Sequence, residues 1–129
     1  MGRRAGHRPS VRRGEAGMVT AETAVVLPVL MLVLVGAVAA VTVVGAQLRC
    51  VDAAREGARA AARGEEVATV VDRAGRAAPA GARTEVTSTD GDVWVTVTAD
   101  ISPLGPLPWR ITVEADAVAA REPGAVPGG

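Results

Sequence analysis

The chain has 129 residues with 14 basic and 14 acidic side chains, so it has no formal net charge and no global basic field for nucleic acid. Every basic residue is Arg, and Lys, Asn, Tyr and Phe are absent, which excludes Schiff-base lysine chemistry. A single His, His7, and a single Cys, Cys50, cannot supply a Cys/His zinc site. No Gly-rich strand–turn–helix phosphate loop occurs. The composition therefore predicts no enzyme, no cofactor and no metal centre.

Charge is unevenly placed. Before Met18 stand Arg3, Arg4, Arg8, Arg12 and Arg13 against the single acid Glu15. From Met18 onward nine Arg face thirteen acids, a formal charge of about −4. Between the basic head and the first later charge, Arg49, runs TAVVLPVLMLVLVGAVAAVTVVGAQL, residues Thr23 to Leu48, 26 residues without a charge. A membrane-spanning helix needs about 20 mostly apolar residues, so this run is long enough. A buried core helix is the alternative, but the remaining chain is too small to cover a helix that is apolar all round. The basic head favours a cytoplasmic N-terminus and an extracytoplasmic C-terminal part, although Arg49, Arg55, Arg59 and Arg63 reduce the asymmetry.

A secretory signal would have an apolar region of about 7–15 residues, shorter than this one. Val44-Gly45-Ala46 is nonetheless a small-residue cleavage motif, and it would give a mature start at Gln47. The near edge of the segment reads Arg13-Gly14-Glu15-Ala16-Gly17-Met18-Val19-Thr20-Ala21-Glu22-Thr23. A cut after Gly17 makes Met18 the first residue and Glu22 the fifth. This basic leader, with Gly at the cut and an acid at mature position five, resembles a prepilin-type signal. A carboxylate at the start of a membrane helix is costly without a partner. In pilin-like proteins that partner is the freed amino terminus, of the same or a neighbouring subunit; otherwise Glu22 serves only the helix dipole.

The resemblance goes further. Val19-Thr20-Ala21-Glu22-Thr23-Ala24-Val25 with Pro28 in the apolar run, and Gly45-Ala46-Gln47-Leu48-Arg49-Cys50-Val51-Asp52-Ala53-Ala54-Arg55-Glu56-Gly57-Ala58-Arg59 after it, are similar to the TadE-like pilus assembly proteins of high-GC Gram-positive bacteria. The resemblance implies a minor pilin or pseudopilin of a tight-adherence (type IVb) pilus, non-enzymatic. Its implied partners are a prepilin peptidase, other pilin-like subunits with their assembly machinery, and the lipid bilayer, with no direct contact to nucleic acid. Major pilins of such systems usually carry Tyr after the glutamate, where this chain has Thr23, so a minor subunit is implied.

Beyond the membrane the helix is expected to continue, with Leu48, Val51, Ala54, Ala58, Ala61 and Ala62 as a small-residue stripe. Arg55, Arg59 and Arg63 fall on one face, either a docking face or a solvated one, with Asp52 and Glu56 within a turn. Cys50 is a candidate for an interchain disulfide or a small buried side chain at a helix interface. Gly64 predicts a helix stop, Glu65-Glu66 the start of a second helix, and Pro79 with Gly81 its end.

Val93, Val95, Val97, Ala99 and Ile101 alternate with polar residues and Trp94, the pattern of a half-buried strand. Asp90-Gly91 predicts a two-residue hairpin that sets Ser88 opposite Val93, Val86 opposite Val95 and Thr84 opposite Val97. That turn also accounts for Thr89, Asp90 and Asp92, a weak candidate Ca²⁺ cluster. A third strand from Arg110 to about Ala120 puts Ile111, Val113, Ala115 and Ala117 on one side and Thr112, Glu114 and Asp116 on the other. The Pro-rich connection 102–109 is an exposed loop whose Trp109 either touches a lipid interface or plugs the end of the core. The expected fold class is α+β: leader 1–17, transmembrane helix 18–48, a small extracytoplasmic domain 49–122 and a disordered tail 123–129. An uncleaved single-pass protein whose outer domain binds an envelope partner is the alternative.

Overall fold

The computed structural model describes Gly2, Gly6 and residues 13–121, with side chains from Gly17 onward apart from Gly2 and Gly6. Most of the expected leader and the expected tail 123–129 lie outside the described residues. The chain divides into two compact units, Met1–Gly36 and Ala37–Gly129. Helix α1, Arg13–Ala62, contributes to both. Helix α2 (Val67–Ala77) and strands β1 (Arg83–Thr89), β2 (Asp92–Ile101) and β3 (Ile111–Ala120) belong to the second. The α+β class expected from the sequence is the one observed.

The strands form one antiparallel sheet in the order β1-β2-β3. The register is the expected one, with Val86 opposite Val95 and Ser88 opposite Val93. Asp90 and Gly91 both have positive φ, 52° and 89°. A primed two-residue turn requires this geometry, because its twist matches that of the flanking strands. On β2 the inward residues Val93, Val95, Val97 and Ala99 are buried, and Val113, Ala115 and Ala119 match them from β3.

Gly64, at φ 74°, ends α1. Its N–H donates to the Ala61 carbonyl at 3.0 Å and the Glu65 N–H to the Ala60 carbonyl at 3.2 Å, a Schellman motif that satisfies two terminal carbonyls. The second helix starts at Val67, two residues later than Glu65-Glu66 suggest; the Glu66 side chain makes no capping hydrogen bond. Val70 and Ala74 are its buried face.

Burial on α1 departs from the expected stripe. Leu48 is 59% exposed, whereas Cys50, Ala53, Ala54 and Ala60 are fully covered. The physical reason is that α1 meets partners on more than one side, which widens and turns its buried arc. At Gly57 the approach is close. A Cβ there would lie 2.8 Å from Val95 Cγ1 of β2 and 3.3 Å from Ala74 Cβ of α2. Only a residue without a side chain lets the three elements meet.

The core is thin, and its largest fully buried side chains are Val70, Val95, Val97 and Cys50. Ile111 shares the face of Val113 and Ala115 but is 43% exposed, because it sits past the end of the buried rows.

Filling the Gly57 gap must displace Val95, a buried β-branched side chain with no room to swing. Gly57→Val should therefore destabilise the domain by about 1–3 kcal/mol even after the gain in helix propensity. At Gly75 of α2 a Cβ meets nothing within 4 Å. Gly75→Ala should stabilise the domain by about 0.5–1 kcal/mol. Denaturant unfolding of the full chain in micelles measures both, and equal effects would contradict the packing.

Candidate membrane and assembly segment

From Gly17 to Val38 every side chain of α1 is exposed, including Met18, Val19, Val25, Leu27, Leu30, Leu32 and Val33. This is the one described helix long and apolar enough to cross a membrane. Two of its threonines are satisfied locally. Thr23 Oγ1 donates to the Val19 carbonyl and Thr42 Oγ1 to the Val38 carbonyl, each at 2.9 Å. Such back-bonding hides a hydroxyl from an apolar solvent. Gln47, at the far end of the uncharged run, donates Nε2–H to the Glu114 carbonyl of β3 at 2.8 Å. Pro28 lies inside α1, and its missing N–H leaves the Ala24 carbonyl without the usual helical donor.

Gly17, Met18 and Glu22 sit on this exposed stretch. Glu22 differs from its neighbours in kind. It is a carboxylate with Ala21, Val25 and Val26 around it, and it has no hydrogen-bond or ion-pair partner among the described residues. Because α1 begins at Arg13, Glu22 lies about two and a half turns inside the uncut helix, beyond the first turn where the dipole acts strongly.

Of the three arginines on one face, Arg59 approaches Glu56 at 3.6 Å, and Arg63 donates Nε–H to Glu65 Oε1 at 2.9 Å. Arg55 and Asp52 have no ion-pair partner among the described residues. Arg73 of α2 completes a network that the sequence did not suggest, reaching Glu65 Oε2 at 2.8 Å and Glu56 at 3.8 Å. Glu65, expected to begin a helix, instead joins the α1–α2 turn to α2. Hydrogen bonding from Arg63, reinforced by the charges of both arginines, lowers its carboxyl below the ordinary glutamate value. The Arg63-x-Glu65 spacing beside a Gly stop is the signal that could have found it.

Cys50 is a free thiol, fully buried. Removal from water raises its pKa, so its thiolate is disfavoured while the domain stays folded. Thr89, Asp90 and Asp92 belong to the β1–β2 hairpin, and no group of three or more His, Cys, Asp or Glu among the described residues could hold a metal ion. Trp109 is 68% exposed, so it does not plug the core.

The family model for TadE-like proteins matches residues 17–59. A Mycobacterium tuberculosis protein named apoptosis inhibitor Rv3655c is 43% identical over 103 residues, which cover 80% of this chain and 78% of that protein. The chain belongs to the TadE-like family. No solved structure matches it. The TadE-like region takes in the exposed apolar part of α1 with Glu22, then the buried arc through Cys50 and Gly57, and stops short of Arg63, Glu65 and Arg73.

Glu65 yields a pH prediction for this TadE-like domain. Its folded pKa is depressed, so its ion pairs stabilise the fold above the ordinary glutamate range, and that contribution is lost as pH falls through the lowered value. The thermal midpoint of the native chain should exceed that of Glu65→Gln at pH 7, and the two should converge on acidification below about pH 4, near the reference glutamate value. A constant gap across that range would show that Glu65 acts by packing alone.

Proposed function

We propose that this TadE-like protein is a membrane-anchored minor pilin or pseudopilin that takes part in assembly of a Tad-type pilus and performs no catalysis. The observation that carries the reading is a coincidence of boundaries. The family likeness begins at Gly17, the residue before the proposed cut, and five residues on comes the carboxylate of Glu22, without a partner among the described residues, in an exposed apolar helix. In this reading a prepilin peptidase cleaves between Gly17 and Met18, and Gly at the cut keeps a side chain from crowding the scissile peptide. The basic head stays cytoplasmic and the domain 49–122 lies outside. Cleavage removes the helical turn that precedes Met18 and creates an amine four residues before Glu22. A carboxylate without a partner and an amine newly freed are complementary, within one chain or between neighbours.

Cys50 fits this reading as a packed side chain of the α1 arc, since an interchain disulfide would require that arc to open. The name of the mycobacterial relative concerns that protein, and no observation on this chain bears on apoptosis.

The two roles of Glu22 differ in magnitude. Removing one partner of a desolvated pair costs about 3–5 kcal/mol. Losing only a dipole interaction costs about 0.3–1 kcal/mol. Glu22→Ala and Glu22→Gln should both abolish incorporation into sheared pilus fractions while leaving membrane insertion intact. Native incorporation of both variants would reject the paired carboxylate, and an uncleaved anchor for an outer binding domain would become the better account.

A further inference from the structure

The β2–β3 loop carries exposed apolar side chains without an acid among them. Residues 102–110 read Ser-Pro-Leu-Gly-Pro-Leu-Pro-Trp-Arg and contain no acid. Leu107 is 53% and Trp109 68% exposed, and Ile111, where β3 begins, is 43% exposed. The outer face of the sheet is acidic, with Glu85, Asp92, Asp100, Glu114 and Asp116 against Arg83, around an exposed Trp94–Val118 pair. A cluster of exposed Leu, Trp and Ile beside an arginine needs a partner other than water.

The position of the loop along α1 identifies that partner. The Gln47 amide meets β3 at Glu114, and further along, Ala58, Arg59 and Ala62 border Ala117, Val118 and Ala119. Thus α1 and β3 run in the same direction, and Ile111 lies on the side of Gln47 that leads back into the uncharged run. Val43 and Ala46, both within that run, pack with the core of the domain. Ile111 is three residues before Glu114, about 10 Å of strand. About 10 Å of helix before Gln47 is six or seven residues, and there Val41 and Val44 are exposed. The hydrocarbon layer takes about 20 residues of helix, and the uncharged run has 26. Counted from Thr23, that layer ends near Thr42, so the level of the loop, near Val41 and Val44, falls at its distal edge where the headgroups begin.

We infer that the 102–110 loop is a second membrane contact, with Leu107 and Trp109 seated in the lipid headgroup layer beside α1 and Arg110 reaching the lipid phosphates. This inference rests on the membrane reading of α1. Trp prefers that layer because its ring is apolar and its N–H finds acceptors there. Arg can lay its stem along apolar surface and keep its head among phosphates. The prolines carry no N–H, so the loop enters the layer with fewer backbone donors to satisfy. The contact would fix the domain's tilt and rotation on the membrane, presenting the acidic sheet face away from the lipid.

Fluorescence of the full chain in phosphatidylcholine vesicles tests this, using lipids with a nitroxide on the acyl chain close to the headgroup. Trp94→Phe leaves Trp109 as reporter, and Trp109→Phe leaves Trp94, which is on the outer sheet face and 45% exposed. Trp109 should be quenched severalfold more than Trp94, with emission at shorter wavelength, and the native chain should fall between. Equal quenching of the two would overturn the inference. So would a Trp109 protected from aqueous acrylamide yet untouched by the nitroxide lipid, because a second protein chain would then be covering the loop. Val33→Trp in a chain lacking both native tryptophans, read with a nitroxide near the end of the acyl chain, separates the two claims. If that residue is quenched and Trp109 is not, only the loop contact fails; if neither is quenched, the membrane reading of α1 fails with it.

Discussion

The close approach of α1 to β2 and α2 at Gly57 is the contact on which the rest of the domain depends. With no Phe or Tyr in the chain and nothing larger than Val fully buried, the core cannot be filled by bulk. It is filled by proximity instead. Ala, Gly and Cys on α1 let the helix axis come near the sheet, so many small contacts replace a few large ones. A domain of this size buries a modest fraction of its surface and is only marginally stable. The ion pairs from Arg73 to Glu56 and Glu65 then matter, because they tie α2 to the end of α1 where the Schellman turn separates them.

The same helix changes its side chains with its surroundings. Before Ala46 its exposed residues are mostly Val, Leu and Met; from Ala46 on, the covered ones are Ala, Gly and Cys. Large apolar side chains suit lipid, which offers no gain from helix–helix proximity, while small ones suit close packing in protein. The sheet has two edges, β1 and β3. Gln47 occupies one acceptor on β3, and charges at Arg83, Glu85, Glu114 and Asp116 flank both edges, which discourages strand addition from another chain.

Much of this was legible in the residues. The period-two pattern around a central Asp90-Gly91 determined both register and turn, since a one-residue slip would have put Val95 and Val97 in water. The uncharged run and the Gly64 stop were equally plain. What remained hidden depended on tertiary partners. Periodicity alone placed Leu48 rather than Cys50 in the buried stripe, because it cannot know that α2 and the sheet both press on α1. Glu65 read as a helix start because local sequence does not show Arg73 arriving from the next helix. Trp109 stayed open between core and interface until its exposure was known. At Gly17, Met18 and Glu22 the proposed roles rest on resemblance, because short motifs at a membrane edge carry little packing information of their own.

The central claim is that α1 anchors a processed subunit, and the mass of the protein recovered from membranes tests it most directly. The account predicts a chain that begins at Met18, and a Gly17→Leu variant that keeps its leader yet still inserts. A native chain that begins at Met1 or Gly2 would contradict the account and indicate an uncleaved anchor. A chain that begins at Gln47, found in the soluble fraction, would contradict it differently, by showing the apolar run to be an export signal.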